Sequence, residues 1–148
     1  MVPGATRGEL EAATCAALKQ FATEHRGRGP HQIAAELRGA TLQVSMRGAM
    51  TLFERRCVEM LTEEQGHRVL TQLNGQLVDV MRPQLFSLVG SIVKRTVVSL
   101  EYAIDTHADT ERFIFGLDQP PVIESSMKRS RKRSESKSRR KPGKAVGA

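Results

Sequence analysis

Ile33-Ala-Ala-Glu-Leu-Arg-Gly-Ala-Thr-Leu-Gln-Val-Ser-Met-Arg-Gly48 is the stretch on which the fold turns. Ile33, Ala35 and Leu37 alternate with polar or small neighbours, Arg38-Gly39-Ala40 reverses the chain, and Leu42, Val44 and Met46 alternate again. A side-chain period of two belongs to strands, and two such runs around a glycine turn predict a hairpin. One face meets a core; Gln43, Ser45 and Arg47 occupy the other.

Outward from the hairpin the period lengthens to that of a helix. Upstream, Thr6-x-x-Glu9 is a capping box, Leu10, Ala13, Ala17 and Phe21 define one face, and His25-Arg26-Gly27 supplies basic groups and a glycine stop. Downstream, Thr51-x-x-Glu54 starts a short helix predicted to turn Leu52, Phe53 and Val58 inward. Thr62-x-x-Gln65 opens a longer pattern through Val69, Leu73, Leu77, Val80, Met81, Leu85, Leu88 and Val89, with Gly90 as its expected stop. Pro83 lies inside this pattern; an interior proline removes a hydrogen bond at roughly 3 kcal/mol, which predicts a bend or break near Asp79 to Arg82.

A second hairpin follows: Val98, Leu100, Tyr102 and Ile104, the turn Thr106-His107-Ala108-Asp109, then Phe113, Phe115 and Leu117. Gln119-Pro120-Pro121 ends regular structure. The order α-β-β-α-α-β-β predicts an α+β fold in two layers, a four-stranded and mainly antiparallel sheet with helices on one face. The domain is expected over 6–118, and 119–148 as a disordered Lys/Arg/Ser-rich tail.

Charge divides the chain at the same place. Lys128 to Ala148 holds ten Lys/Arg and one acid, a net of +9, against +7 for all 148 residues. The first 127 residues carry 13 basic and 15 acidic groups, so a basic-surface reading applies to the tail alone. There Lys128, Arg129, Arg131, Lys132, Arg133, Arg139, Arg140 and Lys141 can neutralise phosphates without reading bases, or approach an anionic membrane, or simply keep the chain in solution. One tyrosine and no tryptophan leave little for base stacking. No apolar run reaches the length of a membrane span; Leu85 to Val93 is broken by Ser87, Gly90 and Ser91. Cys15 and Cys57 lie in separate helical patterns and read as reduced, packed thiols.

Within the domain, Arg26-Gly27-Arg28-Gly29-Pro30 is the least ordinary local sequence. Two guanidiniums on a glycine bend can hold a carboxylate, bicarbonate or phosphate. The same residues also read as a helix C-cap with Pro30 launching a strand, and a helix C-terminus repels anions. Arg82, before Pro83, is a second candidate for partner or anion contact, or a side chain that snorkels to water. The four histidines show no paired metal-ligand spacing and no CxxC occurs, so no metal or cofactor is expected. Glu63 and Glu64 fit the dipole of a helix start, and no nucleophile motif is present, which predicts a non-enzymatic protein.

The domain resembles a bacterial family, first described as a domain of unknown function and named after MpsC, a component of a Na+-translocating, membrane-potential-generating system. The likeness rests on Gly27-Arg28-Gly29-Pro30 after a helix, Leu42-Gln-Val-Ser-Met-Arg-Gly48, Met50-Thr51 with Glu54, Gly66, Arg82-Pro83, the Val97 to Asp105 strand and Phe113-Ile-Phe-Gly-Leu117. It spans roughly Gly8 to Asp118. Ala49-Met50 stands where an aliphatic pair is usual, a difference of packing. The resemblance implies a cytoplasmic accessory or regulatory protein, peripheral to the inner face of the membrane. Its expected partner is a membrane transport complex handling Na+ or bicarbonate, and a homodimer through the open sheet face or the bent helix is a further expectation. Alternatives are a nucleic-acid-associated protein acting through the tail and a small anion sensor at Arg26 to Pro30.

Overall fold

A computed structural model describes residues 5–124. Its elements are α1 (Arg7–Arg26), β1 (Gln32–Arg38), β2 (Thr41–Arg47), α2 (Leu52–Met60), α3 (Glu63–Val93), β3 (Val97–Asp105) and β4 (Thr110–Leu117). All strand pairs are antiparallel and the order across the sheet is β1-β2-β4-β3, which makes the fold α+β. The two hairpins therefore lie side by side, with β2 against β4 at the centre. The described residues separate into two units, Leu10–Pro121 and a smaller one that holds 5–9 and 122–124. In the smaller unit the Glu124 N–H donates to the Ala5 carbonyl at 2.9 Å, and Thr6 and Glu9 exchange capping-box bonds. The basic tail lies outside the described residues.

Burial alternates along the central strands as the period of two requires. Leu42, Val44 and Met46 of β2 and Phe113, Phe115 and Leu117 of β4 are buried, as are Leu18 of α1 and Leu70, Val89 and Val93 of α3, and Leu70 clusters with Met50 and Ile104. Each such Leu, Val or Phe stabilises the fold by about 1.5–3 kcal/mol. On β3 the alternation slips. A register irregularity between Val97 and Ser99 buries Val97 and turns Val98 outward, against the expectation that Val98 joins the inward set.

Helix faces differ from expectation by one residue. α1 buries Leu10, Thr14, Leu18 and Ala22, not Ala13, Ala17 and Phe21, and Thr14 satisfies its hydroxyl by donating to the Leu10 carbonyl at 2.8 Å. α3 buries Gly66, Leu70, Asn74, Val78, Leu85, Val89 and Val93, leaving Val69, Leu73, Leu77 and Val80 exposed. In α2, Leu52 and Phe53 point to solvent and Glu54 points in.

The capping boxes at Thr51/Glu54 and Thr62/Gln65 form as the spacing predicts. Of the bend or break expected near Asp79 to Arg82, the break does not occur. α3 runs uninterrupted through Pro83, supported by tertiary packing of Val78, Leu85 and Val89 on either side. It also passes Gly90 and ends with Lys94 in the left-handed region, φ 58°, whose N–H donates to the Gly90 carbonyl. The edge strands are pinned by helix side chains. Glu11 of α1 accepts from the Leu37 N–H at 2.8 Å, and Arg82 of α3 donates to the Leu100 carbonyl at 3.2 Å.

Candidate functional site

Strand parity places a carboxylate in the apolar layer. Glu111 shares the inward face of β4 with Phe113 and Phe115 and is 3% exposed. A bare carboxylate there would be very costly, so its partners define the site. Arg26, in the last turn of α1, lays its guanidinium fork on it, Nη1 to Oε2 and Nη2 to Oε1, both at 2.5 Å. Tyr102, on the neighbouring strand β3, donates its phenol to Oε1 at 2.5 Å. The Tyr102 ring rests against Phe113 with centroids 5.0 Å apart, which fixes the direction of the hydroxyl.

A second buried polar pair lies nearby. Glu54 uses Oε1 to accept from the Thr51 N–H in its capping box and Oε2 to accept from Asn74 Nδ2 at 2.8 Å. One acid thus starts α2 and ties it to the middle of α3. Glu54 also adds its charge to the field that favours the Arg26 cation. Among the described residues no buried side-chain nitrogen or oxygen lacks a partner.

The electrostatics follow from this closure. Burial acts against the Arg26 cation, but the hydrogen bonds and charge of Glu111 outweigh it and hold the guanidinium above its ordinary range. Burial, then the charge and hydrogen bond of Glu111, push the Tyr102 phenol up, and Arg26 offsets only part of that. Cys15 on α1 is raised as well, by burial and by Glu11. None of these groups is set up to give or take a proton near neutral pH. The triad is a clamp joining the end of α1 to the two strands of the second hairpin.

Beside the clamp, between α1 and α3, is a cleft of about 70 Å³ lined mainly by Leu18, Phe21, Ala22, Met46, Val78 and Phe113, with Arg26, His25 and Asn74 as its polar edge. It accepts the tip of an apolar side chain, not a nucleotide or a ring cofactor.

The structure separates the residues singled out in the sequence. Arg26 goes to Glu111. Arg28 stays in the loop, donating to the Met50 carbonyl at 3.4 Å, to the Gly48 carbonyl at 3.2 Å and to His31 Nε2 at 2.9 Å. A guanidinium only donates, so that His31 nitrogen is the acceptor. Gly29 has no room for a side chain: a Cβ there would lie 2.7 Å from the Thr23 hydroxyl. Pro30 is buried. Arg82 stands apart on α3, bound to Asp79 at 2.7 Å and lying over Phe86. The tail residues Lys128 to Lys141 lie outside the described residues. Glu111, Tyr102, Glu54 and Asn74 are absent from the sequence candidates, although counting back by twos from Phe113 already turns Glu111 inward.

Among the described residues no helix is long and apolar enough to cross a membrane, and no group of three or more His, Cys, Asp or Glu is placed to hold a metal ion. The model of the MpsC family, described as a Na+-translocating membrane potential-generating system, matches residues 6–119. No curated protein and no solved structure matches the chain.

Proposed function

The chain belongs to the MpsC family, and on that premise we propose that it is a non-enzymatic accessory or regulatory protein of a membrane Na+-translocating system, acting from the cytoplasmic side. The observation that carries this reading is the closure of the buried polar groups. Arg26, Glu111 and Tyr102 consume one another, Glu54 and Asn74 do likewise, and Arg28 holds backbone carbonyls. Side chains arranged in this way fix elements to one another and leave a surface, not a reaction centre, as the working part. Ion passage would then belong to a partner that crosses the membrane.

The test is affinity capture from solubilised membranes and from the cytosol, with nuclease present. The full chain is compared with a version lacking Lys128 to Ala148. We expect one membrane transport protein to follow both versions. Recovery of nuclease-sensitive material alone, and only with the tail, would overturn this reading in favour of a nucleic-acid-associated protein.

A further inference from the structure

The sheet face turned away from the helices holds two arginines that the fold does not use. Of the three arginines on the strands, Arg38 pairs with Glu36. Arg47 of β2 and Arg112 of β4 are exposed, and neither has a hydrogen bond or ion pair among the described residues. The register brings these two together. Arg47 lies opposite Thr110 and Ser45 opposite Arg112, so the arginines are diagonal neighbours across the two central strands. The Gly48 N–H donates to the Asp109 carbonyl and the Leu117 N–H to that of Ala40, which puts the ladder bonds at the alternate positions of β2. Ser45 and Arg47 thus belong to non-hydrogen-bonded pairs, where facing side chains stand closest. A diagonal of about 7–8 Å is within reach of long side chains. Two like charges at that range oppose each other, and the positions between them are Ser45 and Thr110, not acids.

The surroundings of the pair specify the ligand. Two shallow depressions meet at Ser45 and Thr110, one edged by Arg47 and the other by Arg112. Thr110 donates its hydroxyl to the Ala108 carbonyl at 3.2 Å, whereas the half-buried Ser45 hydroxyl has no partner among the described residues and can donate. The three groups that converge here are therefore donors. A carboxylate, with one charge and two oxygens, matches one guanidinium fork. A phosphate group carries about two charges and three or more acceptor oxygens, enough for both forks and the serine. The acids of this face stand outside the pair. Glu36 lies on β1, and Glu101 and Asp105 lie on β3, Asp105 already accepting from the His107 and Ala108 N–H groups. That acidic border repels an extended anionic surface, such as a membrane or a nucleic acid, and leaves room for a small ion. We propose that Arg47, Arg112 and Ser45 form a binding site for the phosphate group of a small soluble molecule. The site is separate from the Arg26 to Pro30 loop, whose guanidiniums are held by Glu111 and by backbone carbonyls.

The experiment is an amide NMR titration of the full chain at constant ionic strength, with inorganic phosphate, glycerol 3-phosphate and, as the carboxylate control, acetate. The amides of Ser45, Arg47 and Arg112 are expected to shift saturably with both phosphates and not with acetate. Arg47→Gln and Arg112→Gln each remove one guanidinium at an exposed position, and the amide spectrum itself establishes that each variant is folded. Either should weaken phosphate binding about threefold, and the two together about tenfold, the scale of exposed charge contacts. Arg38→Gln, on the same face but paired with Glu36, should leave the affinity within about twofold of wild type. Shifts confined to Lys128 to Lys141, shifts at Ser45 that survive the double substitution, or an equal response to acetate overturns the proposal. Sedimentation with phosphatidic acid vesicles separates the other source of a phosphate group. The double variant should pellet as the wild type does, and a loss of vesicle binding would assign the arginines to a lipid headgroup and overturn the assignment to a soluble molecule. Failure here leaves the accessory reading standing, since that reading is judged by membrane capture.

Discussion

Replacing Glu111 with glutamine tests the clamp directly. The substitution keeps shape and volume but removes the charge, leaving the Arg26 guanidinium against a neutral amide that offers one good acceptor. Removing one partner of a buried ion pair generally costs about 3–5 kcal/mol, mostly the penalty of stranding the other charge. Arg26 keeps 19% of its side chain in contact with solvent, against 3% for Glu111, so water can partly rehydrate it. The lower end, about 3 kcal/mol, applies. For a domain of this size that lowers Tm by roughly 10 °C. The paired change Arg26→Met with Glu111→Met strands no charge and should cost clearly less than Glu111→Gln alone.

A second readout comes from composition. The chain has one tyrosine and no tryptophan, so the near-ultraviolet tyrosinate band reports Tyr102 alone. Its phenol is raised above its ordinary value of 10.0, by burial first and by Glu111 second. Above that pH the unfolded chain loses the proton while the native chain keeps it. The native state then binds more protons and stability falls with rising pH. The contribution is complete below about pH 10 and declines above it. Wild-type tyrosinate should therefore appear only as the protein unfolds in alkali, and in Glu111→Gln it should appear at lower pH. A variant melting within about 1 °C of wild type, or a wild-type phenol titrating normally in the folded state, would falsify the account of Glu111 as the anchor.

Two further substitutions probe how the elements are positioned. Pro83→Ala restores a hydrogen-bond donor at an exposed site inside a helix that is already continuous. We expect stabilisation of about 1 kcal/mol or more by denaturant titration, and a loss of stability would show that the proline is required. Gly48 has φ +72° and the space of its missing side chain is filled by the His31 ring, which Arg28 holds in place. Gly48→Ala should thus destabilise by more than about 1 kcal/mol, and a neutral outcome would mean that this loop is free to move.

Four polar contacts tie the helices to neighbouring elements. Glu11 reaching β1, Arg82 reaching β3, Glu54 reaching α3 and Arg26 reaching β4 each join a helix to another element through one charged side chain. These contacts set the angles of α1, α2 and α3 over the sheet.

How much of this is legible in the sequence follows from which periods are clean. The hairpins are, because parity is unforgiving: a slip of one residue would send Val44 and Phe115 to solvent. Only at the β3 irregularity, where one residue is inserted, does parity mislead, and it misplaces Val98. The helix faces come out one residue off for a different reason. On α1, Ala13, Ala17 and Phe21 make as good a stripe as Leu18 and Ala22, and the polar Thr14 hides in the buried row by bonding its own backbone. On α3, Val69, Leu73 and Leu77 outweigh a true core row that contains Gly66 and Asn74. Hydrophobicity alone chooses the wrong row there, because the polar member of the right one is satisfied by Glu54, a partner 20 residues away that no local window contains. The same holds for the clamp: Arg26 and Glu111 are 85 residues apart, so the strand parity that turns Glu111 inward cannot name the cation that meets it.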